Sequence, residues 1–336
     1  MILVTGGTGF LGARILAELA THESGIRALR RPGSSLDLFT SVFKDRFGEN
    51  DVYRRNIDWV EGDVNDYYSL EDALLGVSRV IHAAGLVSFH PADKARLMEV
   101  NAEGTENLVN ACIHREVRKL VHISSVAAIG RADVSEALSE KTVWKNSPAN
   151  SNYAVSKYAA EREVWRGSEE GLQTVILNPG ILLGSGDWKY GTPTLFSRVW
   201  EGMPFYTEGS NGVTDVSDVA ALAVRMMQSD ITGERFIVVT ENMSYRELFS
   251  EIAKALGKPE PKKKAGAVEL RLAMWNDSIR QALGGRKALI TKETVRNAMS
   301  RSVYDTKALQ AAMPYTFKPI RETIQETAAA FLRSVS

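Results

Sequence analysis

Tyr153 and Lys157 stand four residues apart in Tyr-Ala-Val-Ser-Lys, a spacing that brings a phenol and an ammonium onto one face of a helix. A free phenol, with a pKa of about 10, is a poor acid or base at neutral pH. An ammonium beside it stabilises the phenolate and draws it toward working range. Ser124 and Ser125 end an apolar, strand-like run, so their hydroxyls are expected at a crevice edge where a substrate carbonyl can be bonded. Tyr-x-x-x-Lys is common by chance, and the pattern at the start of the chain is what gives it weight. Thr5-Gly-Gly-Thr-Gly-Phe-Leu-Gly12 spaces glycines at 6, 9 and 12 between a short apolar run and a helix-period segment. Gly6 permits a sharp turn, Gly9 lets backbone amides approach a pyrophosphate, and Gly12 lets the helix lie close on the sheet. The helix N-terminus adds N–H groups and partial positive charge for the phosphates.

The end of the second apolar run separates two kinds of dinucleotide. An NAD-preferring site places Asp or Glu there for the adenosine ribose, whereas this chain has Arg30 and Arg31, the first 24 residues beyond Gly6. Two guanidiniums suit a 2′-phosphate, with Ser34 and Ser35 as further donors, so NADP(H) is favoured over NAD(H). The plainer alternative is that one arginine caps the strand and faces water; which of the two dominates depends on a one-residue register. Asp63 is placed to accept from an adenine amino group while Val64 packs on the ring. Ala83, Ala84 and Gly85 are small enough for backbone and cofactor to meet. His82 reads as a satisfied strand-end histidine rather than a catalyst.

Elements in βαβα succession must position these groups. Strands are expected at Ile2–Thr5, Gly25–Arg30, Asp58–Glu61, Arg79–Ala83, Lys119–Ser124 and Thr174–Leu177. Helices are expected at Phe10–Leu19, Ser69–Leu75, about Ala95–His114 and Tyr153–Trp165. That order predicts an α/β fold, a doubly wound parallel sheet with all strand C-termini on one edge. After Asn178-Pro179-Gly180 the pattern loosens. Residues 1–180 read as the dinucleotide-binding domain and 181–336 as a smaller, mostly helical substrate-binding region, with late segments free to return to the sheet. Helices are expected there at about Val216–Met227, Tyr245–Leu256, Val268–Leu283 and Ile320–Leu332, the third either a lid or a polar outer helix. Lys258–Lys264 reads as a solvated connector.

Composition narrows the function classes. The 336 residues carry 41 Lys+Arg against 41 Asp+Glu, which weakens the case for nucleic-acid binding, where a basic surplus is needed. Cys112 is the single cysteine, so neither an intrachain disulfide nor a paired-thiolate zinc site is available; a buried apolar role is expected for it, and no metal site. No run of 18 apolar residues and no leader pattern appears, so a cytoplasmic protein without stable membrane insertion is expected.

Taken in order, these motifs resemble the extended short-chain dehydrogenase/reductase superfamily, the NAD-dependent epimerase/dehydratase-like group. Within it they are most similar to the dihydroflavonol reductase-like and 3β-hydroxysteroid dehydrogenase-like branches. The resemblance is carried by Thr5–Gly12, Ile26–Arg31, Glu61–Val64, His82–Gly85, Asn101–Asn107, Ser124-Ser125, Tyr153–Lys157, Asn178–Gly180 and Thr214–Ala220. It implies Ser125 as the hydroxyl that polarises a carbonyl, Tyr153 as acid/base, Lys157 as its electrostatic partner and a bond to the nicotinamide ribose, and Ser124 as support. Asn101 matches an asparagine that helps hold a water relay behind the lysine; a helix-kink hydrogen bond is the equal alternative. Thr5, Gly6, Gly9, Phe10, Leu11, Gly12 and Pro179 fall at cofactor-lining positions. Hydride would pass between nicotinamide and a carbonyl or secondary alcohol.

Departures from the pattern point away from sugars. Asn178 stands where nucleotide-sugar members carry Arg, and Val126-Ala127-Ala128 replaces the Asp-Glu pair of sugar dehydratases. The loop Val87–His90 and the aromatics Trp188, Tyr190, Phe196, Trp200, Phe205 and Tyr206 suggest a partly apolar pocket, core packing being the other reading for most of them. A small-molecule substrate is therefore expected, with a nucleotide-sugar epimerase or reductase holding NAD, and a non-catalytic NADP(H) sensor, as the alternatives. Relatives often pair the helices that here are Ala95–His114 and Tyr153–Trp165, so a homodimer is expected, with Cys112, Ile113, Ala159 and Val164 either at that seam or facing the sheet.

Overall fold

Short aliphatic runs that are buried on both faces become parallel strands, because helices cover each side of the sheet. A computed structural model of the chain describes residues 1–50, 52–130, 137–266, 269 and 291–335. Its strands are β1 (Ile2–Thr5), β2 (Ile26–Arg30), β3 (Ile57–Glu61), β4 (Arg79–His82), β5 (Lys119–Ile123) and β6 (Gln173–Pro179). There follow β7 (Ile181–Leu183), β8 (Phe205–Tyr206), β9 (Ser210–Asp215), β10 (Glu234–Val238), β11 (Glu241–Ser244) and β12 (Lys263–Lys264). Seven of them form an all-parallel sheet in the order β10-β6-β5-β4-β1-β2-β3. The order reverses between β1 and β4, and that switch point opens the crevice in which open α/β sheets bind ligands.

One face of the sheet packs on helices Gly12–Leu19, Asp37–Phe47 and Val216–Gln228, through Ile15, Leu16, Phe39, Val219 and Ala223 among others. The other face packs on Tyr67–Ala73, Gly104–His114 and Asn152–Glu169, through Leu70, Leu108, Cys112 and Val164. Cys112 and Val164 thus face this chain's own core, both at 0% exposure, rather than a subunit seam. A third core gathers under the C-terminal helix Ile320–Val335, against Thr194–Gly202 and Tyr245–Ala255. No helix among the described residues is long and apolar enough to cross a membrane.

Late segments do return to the sheet, a return the sequence reading left open: β10 pairs with β6 and helix Val216–Gln228 covers the sheet. Several expectations change. Helices Asp37–Phe47 and Thr194–Gly202 and the small sheet β11-β9-β7 were not anticipated. Lys263–Lys264 leaves the expected connector to pair in parallel with Phe205–Tyr206. The expected helix over Ala95–His114 is interrupted by a π-helical turn at Met98–Glu103, the kind of insertion that redirects a side chain. The expected helix Val268–Leu283 lies outside the described residues.

Candidate active site

The glycine loop is shaped by contacts that leave no room for side chains. Gly6 has φ +73°, and a Cβ there would lie 2.6 Å from the Ala84 nitrogen. A Cβ on Gly12 would lie 2.0 Å from the Gly6 carbonyl oxygen, so helix Gly12–Leu19 sits against the turn itself. That helix begins without a side-chain cap, its Ala13 and Arg14 amides bonding the Gly9 and Leu11 carbonyls at 3.0 Å, and its N-terminal partial positive charge faces the loop. Turn, close backbone approach and uncapped helix fit the pyrophosphate of a dinucleotide. Arg14, one turn in, reaches Ser185 and the Phe10 carbonyl and lies over the Phe10 ring at 4.8 Å, tying the loop to the segment after β7.

Tyr153 and Lys157 share helix Asn152–Glu169, which Ser151 caps by accepting from the Ala154 amide at 3.0 Å. The Ser125 hydroxyl lies near enough to the Tyr153 phenol to favour its ionised form, while the Ser124 hydroxyl turns inward. Lys157, 4% exposed, donates to the Ile123 carbonyl at 2.9 Å and meets His122 Nε2 at 3.5 Å. Burial pushes its ammonium down to about 8, and the Glu161 carboxylate one turn on pulls it partly back. The phenol moves the other way from the sequence expectation: burial raises Tyr153, and only the Ser125 hydroxyl opposes that shift. Lys157 directs its ammonium to strand β5, so desolvation governs the phenol.

A chain of hydrogen bonds runs behind this pair. Thr105 Oγ1 must donate to the Asn101 carbonyl at 2.6 Å, so it accepts from His82 Nε2 at 3.0 Å. His82 Nδ1 is then the acceptor for Thr5 Oγ1 at 2.6 Å, and Thr5 in turn accepts from the Ala84 amide at 3.2 Å. Burial holds His82 down at about 3, so it stays neutral as a structural strut between β1 and β4. Asn101, in the π-helical turn, accepts from the Leu86 amide at 2.7 Å and donates at 2.9 Å to both the Leu86 carbonyl and Ser156. Its side chain is thereby spent on holding the strand end after Gly85.

At the end of β2, where the sequence expects the adenosine, Arg30 is not a bare cation: its guanidinium meets Glu61 at 3.2 Å. Arg31 is exposed beside the Pro32–Gly33 turn. Asp63 accepts from the Asn65 amide at 3.0 Å, and Val64, 7% exposed, packs down toward Gly104. A cavity of about 400 Å³ runs beside the glycine loop between Thr8, Phe10, Ser35, Asp37, Asp187 and Tyr190. Most of the aromatics singled out for the pocket lie elsewhere. Phe196, Trp188 and Trp200 belong to the third core, the two indoles packing on Phe331 with ring centres 5.1 and 5.9 Å away. The aromatic that borders Tyr153 is Phe89, edge to face at 5.8 Å, in the loop after β4.

Sequence reasoning missed the group beneath the serines. Glu161, 1% exposed, accepts from Ser124 Oγ and Asn178 Nδ2, both at 2.5 Å, and pairs with Arg235 of β10 at 3.2 Å. Its spacing was a usable signal, since residues 153, 157 and 161 repeat every four along one helix face. Asn178 is fully buried and also donates to the Ser125 carbonyl at 2.8 Å, so this position serves the turn rather than the crevice.

A glycine loop at the switch point of a doubly wound sheet, with Ser125, Tyr153 and Lys157 on the neighbouring strand end and helix, defines an extended short-chain dehydrogenase/reductase. The family described as 3-beta hydroxysteroid dehydrogenase/isomerase matches residues 3–266, and the chain belongs to it. A Synechocystis protein with the provisional name dihydroflavonol 4-reductase is 30% identical over 318 residues, 91% of this chain and 88% of its own length. Among solved structures, gox2253 is 26% identical with TM-score 0.81, covering 99% of this chain and 98% of that one. The UDP-glucose 4-epimerase of Thermus thermophilus in complex with NAD is 25% identical with TM-score 0.73, covering 98% of each chain.

Proposed function

We propose that this enzyme is an NADP(H)-dependent oxidoreductase acting on the carbonyl or secondary alcohol of a moderately apolar small molecule. The observation that carries the reading is the meeting of the Ser125 hydroxyl and the Tyr153 phenol, one helical turn from the buried Lys157 ammonium. A nicotinamide dinucleotide, when bound, supplies or accepts hydride. Ser125 donates to the carbonyl oxygen and holds it against Tyr153, whose proton follows as that oxygen gains negative charge. A phenol held high by burial keeps its proton until such a charge develops, which suits an acid in the reduction direction. Lys157 offsets the phenolate left behind. Phe89 supports an apolar substrate by walling Tyr153 on the side of the β4 loop. The names of the Synechocystis relative and of the family, a reductase and a dehydrogenase, agree with carbonyl–alcohol chemistry.

Preference for NADP(H) rests on Arg30 and Arg31 at the end of β2, where no carboxylate occupies the strand end. Arg30 is paired with Glu61 at 3.2 Å, and Arg31 beside it is exposed. Paired calorimetric titrations of NADPH and NADH into cofactor-stripped protein are expected to show NADPH at least tenfold tighter, about 1.4 kcal/mol. Equal or reversed affinity overturns the arginine reading and turns attention to a tightly held NAD. For the chemistry, Tyr153→Phe should abolish NADPH consumption with a carbonyl compound that the wild type reduces; full turnover in that variant refutes the acid/base role.

A further inference from the structure

Beneath the Ser124–Ser125 turn lies a carboxylate that proton transfer itself does not use. A buried carboxylate is costly unless paired and fully hydrogen-bonded. Glu161 is both: Oε1 takes the Ser124 hydroxyl and the Asn178 amide, and Oε2 takes the Arg235 guanidinium. Arg235 is itself held by the Glu140 carbonyl at 2.6 Å and the Thr142 carbonyl at 3.2 Å. The amide orientation of Asn178 follows from its neighbours, since both the Glu161 carboxylate and the Ser125 carbonyl are acceptors. Two routes therefore lead from Glu161 to the turn, one through the Ser124 side chain and one through Asn178 to the Ser125 backbone.

We propose that Glu161 is a positioning residue that fixes the Ser124–Ser125 turn so that the Ser125 hydroxyl stays in hydrogen-bonding register with the Tyr153 phenol. The brace and the phenol stand on the same face of one helix, two turns apart. Shifts between β5 and that helix are thereby prevented from parting the Ser125 hydroxyl and the Tyr153 phenol. Glu140 contributes to the same frame, its carboxylate accepting from the Ile237 amide at 2.8 Å on β10. The consequence for turnover rests on the oxidoreductase reading above; the positioning claim itself does not need a substrate.

The test labels tyrosine rings with ¹³C at Cζ and assigns the Tyr153 signal by its absence in Tyr153→Phe. In Glu161→Gln and in Ser124→Ala the Tyr153 signal is expected to move toward its position in Ser125→Ala. In the double variant Ser125→Ala/Glu161→Gln no further movement is expected, because the path runs through Ser125. A Tyr153 signal at the wild-type position in both single variants overturns the proposal, even if the melting temperature falls, since that pattern marks a merely structural group. Should Glu161→Gln not fold, Ser124→Ala decides alone, because it removes one hydroxyl and leaves the Glu161–Arg235 pair intact. With the carbonyl compound that wild type reduces fastest, Glu161→Gln is expected to lose about 10²-fold in kcat, the scale of a misplacement near 1 Å, with cofactor affinity unchanged. Wild type that reduces nothing counts against the oxidoreductase reading and leaves the Tyr153 signal to judge Glu161.

Discussion

Replacing Lys157 with methionine should stabilise the cofactor-free protein while disabling it. The side chain is 4% exposed, and burial lowers its ammonium from 10.5 to about 8. At about 1.36 kcal/mol per pKa unit, keeping that charge inside the native state at pH 7 costs about 3 kcal/mol. Methionine fills similar volume but forfeits the bond to the Ile123 carbonyl, worth about 1 kcal/mol for a neutral donor, which leaves a net gain of about 2 kcal/mol. The pH dependence has a definite sign. From pH 8 to 10.5 the unfolded chain keeps a proton on this lysine that the native state has released, so wild-type stability rises with pH there. Between pH 7 and 9 the wild type should recover about 1.3 kcal/mol relative to Lys157→Met. Denaturant titrations of both proteins at pH 7 and 9 measure the two gaps, and a turnover assay measures the loss of function. A methionine variant that is less stable at pH 7, or a gap that fails to narrow by pH 9, refutes the reasoning.

Other outcomes follow from single contacts. Gly12→Ala puts a Cβ 2.0 Å from the Gly6 carbonyl oxygen and must push the helix off the turn, so dinucleotide affinity measured by calorimetry should fall at least tenfold, about 1.4 kcal/mol. Asn101→Ala leaves the Leu86 amide and carbonyl without their partner, and should cost about 1–3 kcal/mol in denaturant titration while loosening the loop that carries Phe89. Thr323→Val removes the buried hydroxyl that donates to Asp215 at 2.9 Å; a loss of about 1 kcal/mol with dinucleotide affinity unchanged is expected, because that bond ties the C-terminal helix to the cap of helix Val216–Gln228.

Read from the sequence alone, the glycine loop, the Tyr153–Lys157 pair, the Ser124-Ser125 strand end and the parallel sheet were legible. Each is written within one strand, one turn or one helical repeat, so backbone geometry converts residue spacing directly into position. For the aromatics at 188, 196 and 200 the sequence left pocket and core both open, because a helix shows its apolar stripe without showing what covers it; Phe331, more than a hundred residues on, decides for the core. The same holds for Arg30, whose partner Glu61 arrives only when β3 lies beside β2. Glu161 meets Ser124, Asn178 and Arg235 across separations of 37, 17 and 74 residues, joining two strands of the sheet and the strand end before Ser125 to one helix. The ionisation of the site belongs to tertiary structure as well. Tyr153 and Lys157 carry their four-residue spacing in the sequence, but how far each gives up its ordinary pKa is set by the water that packing removes, and that depends on every element closing around them.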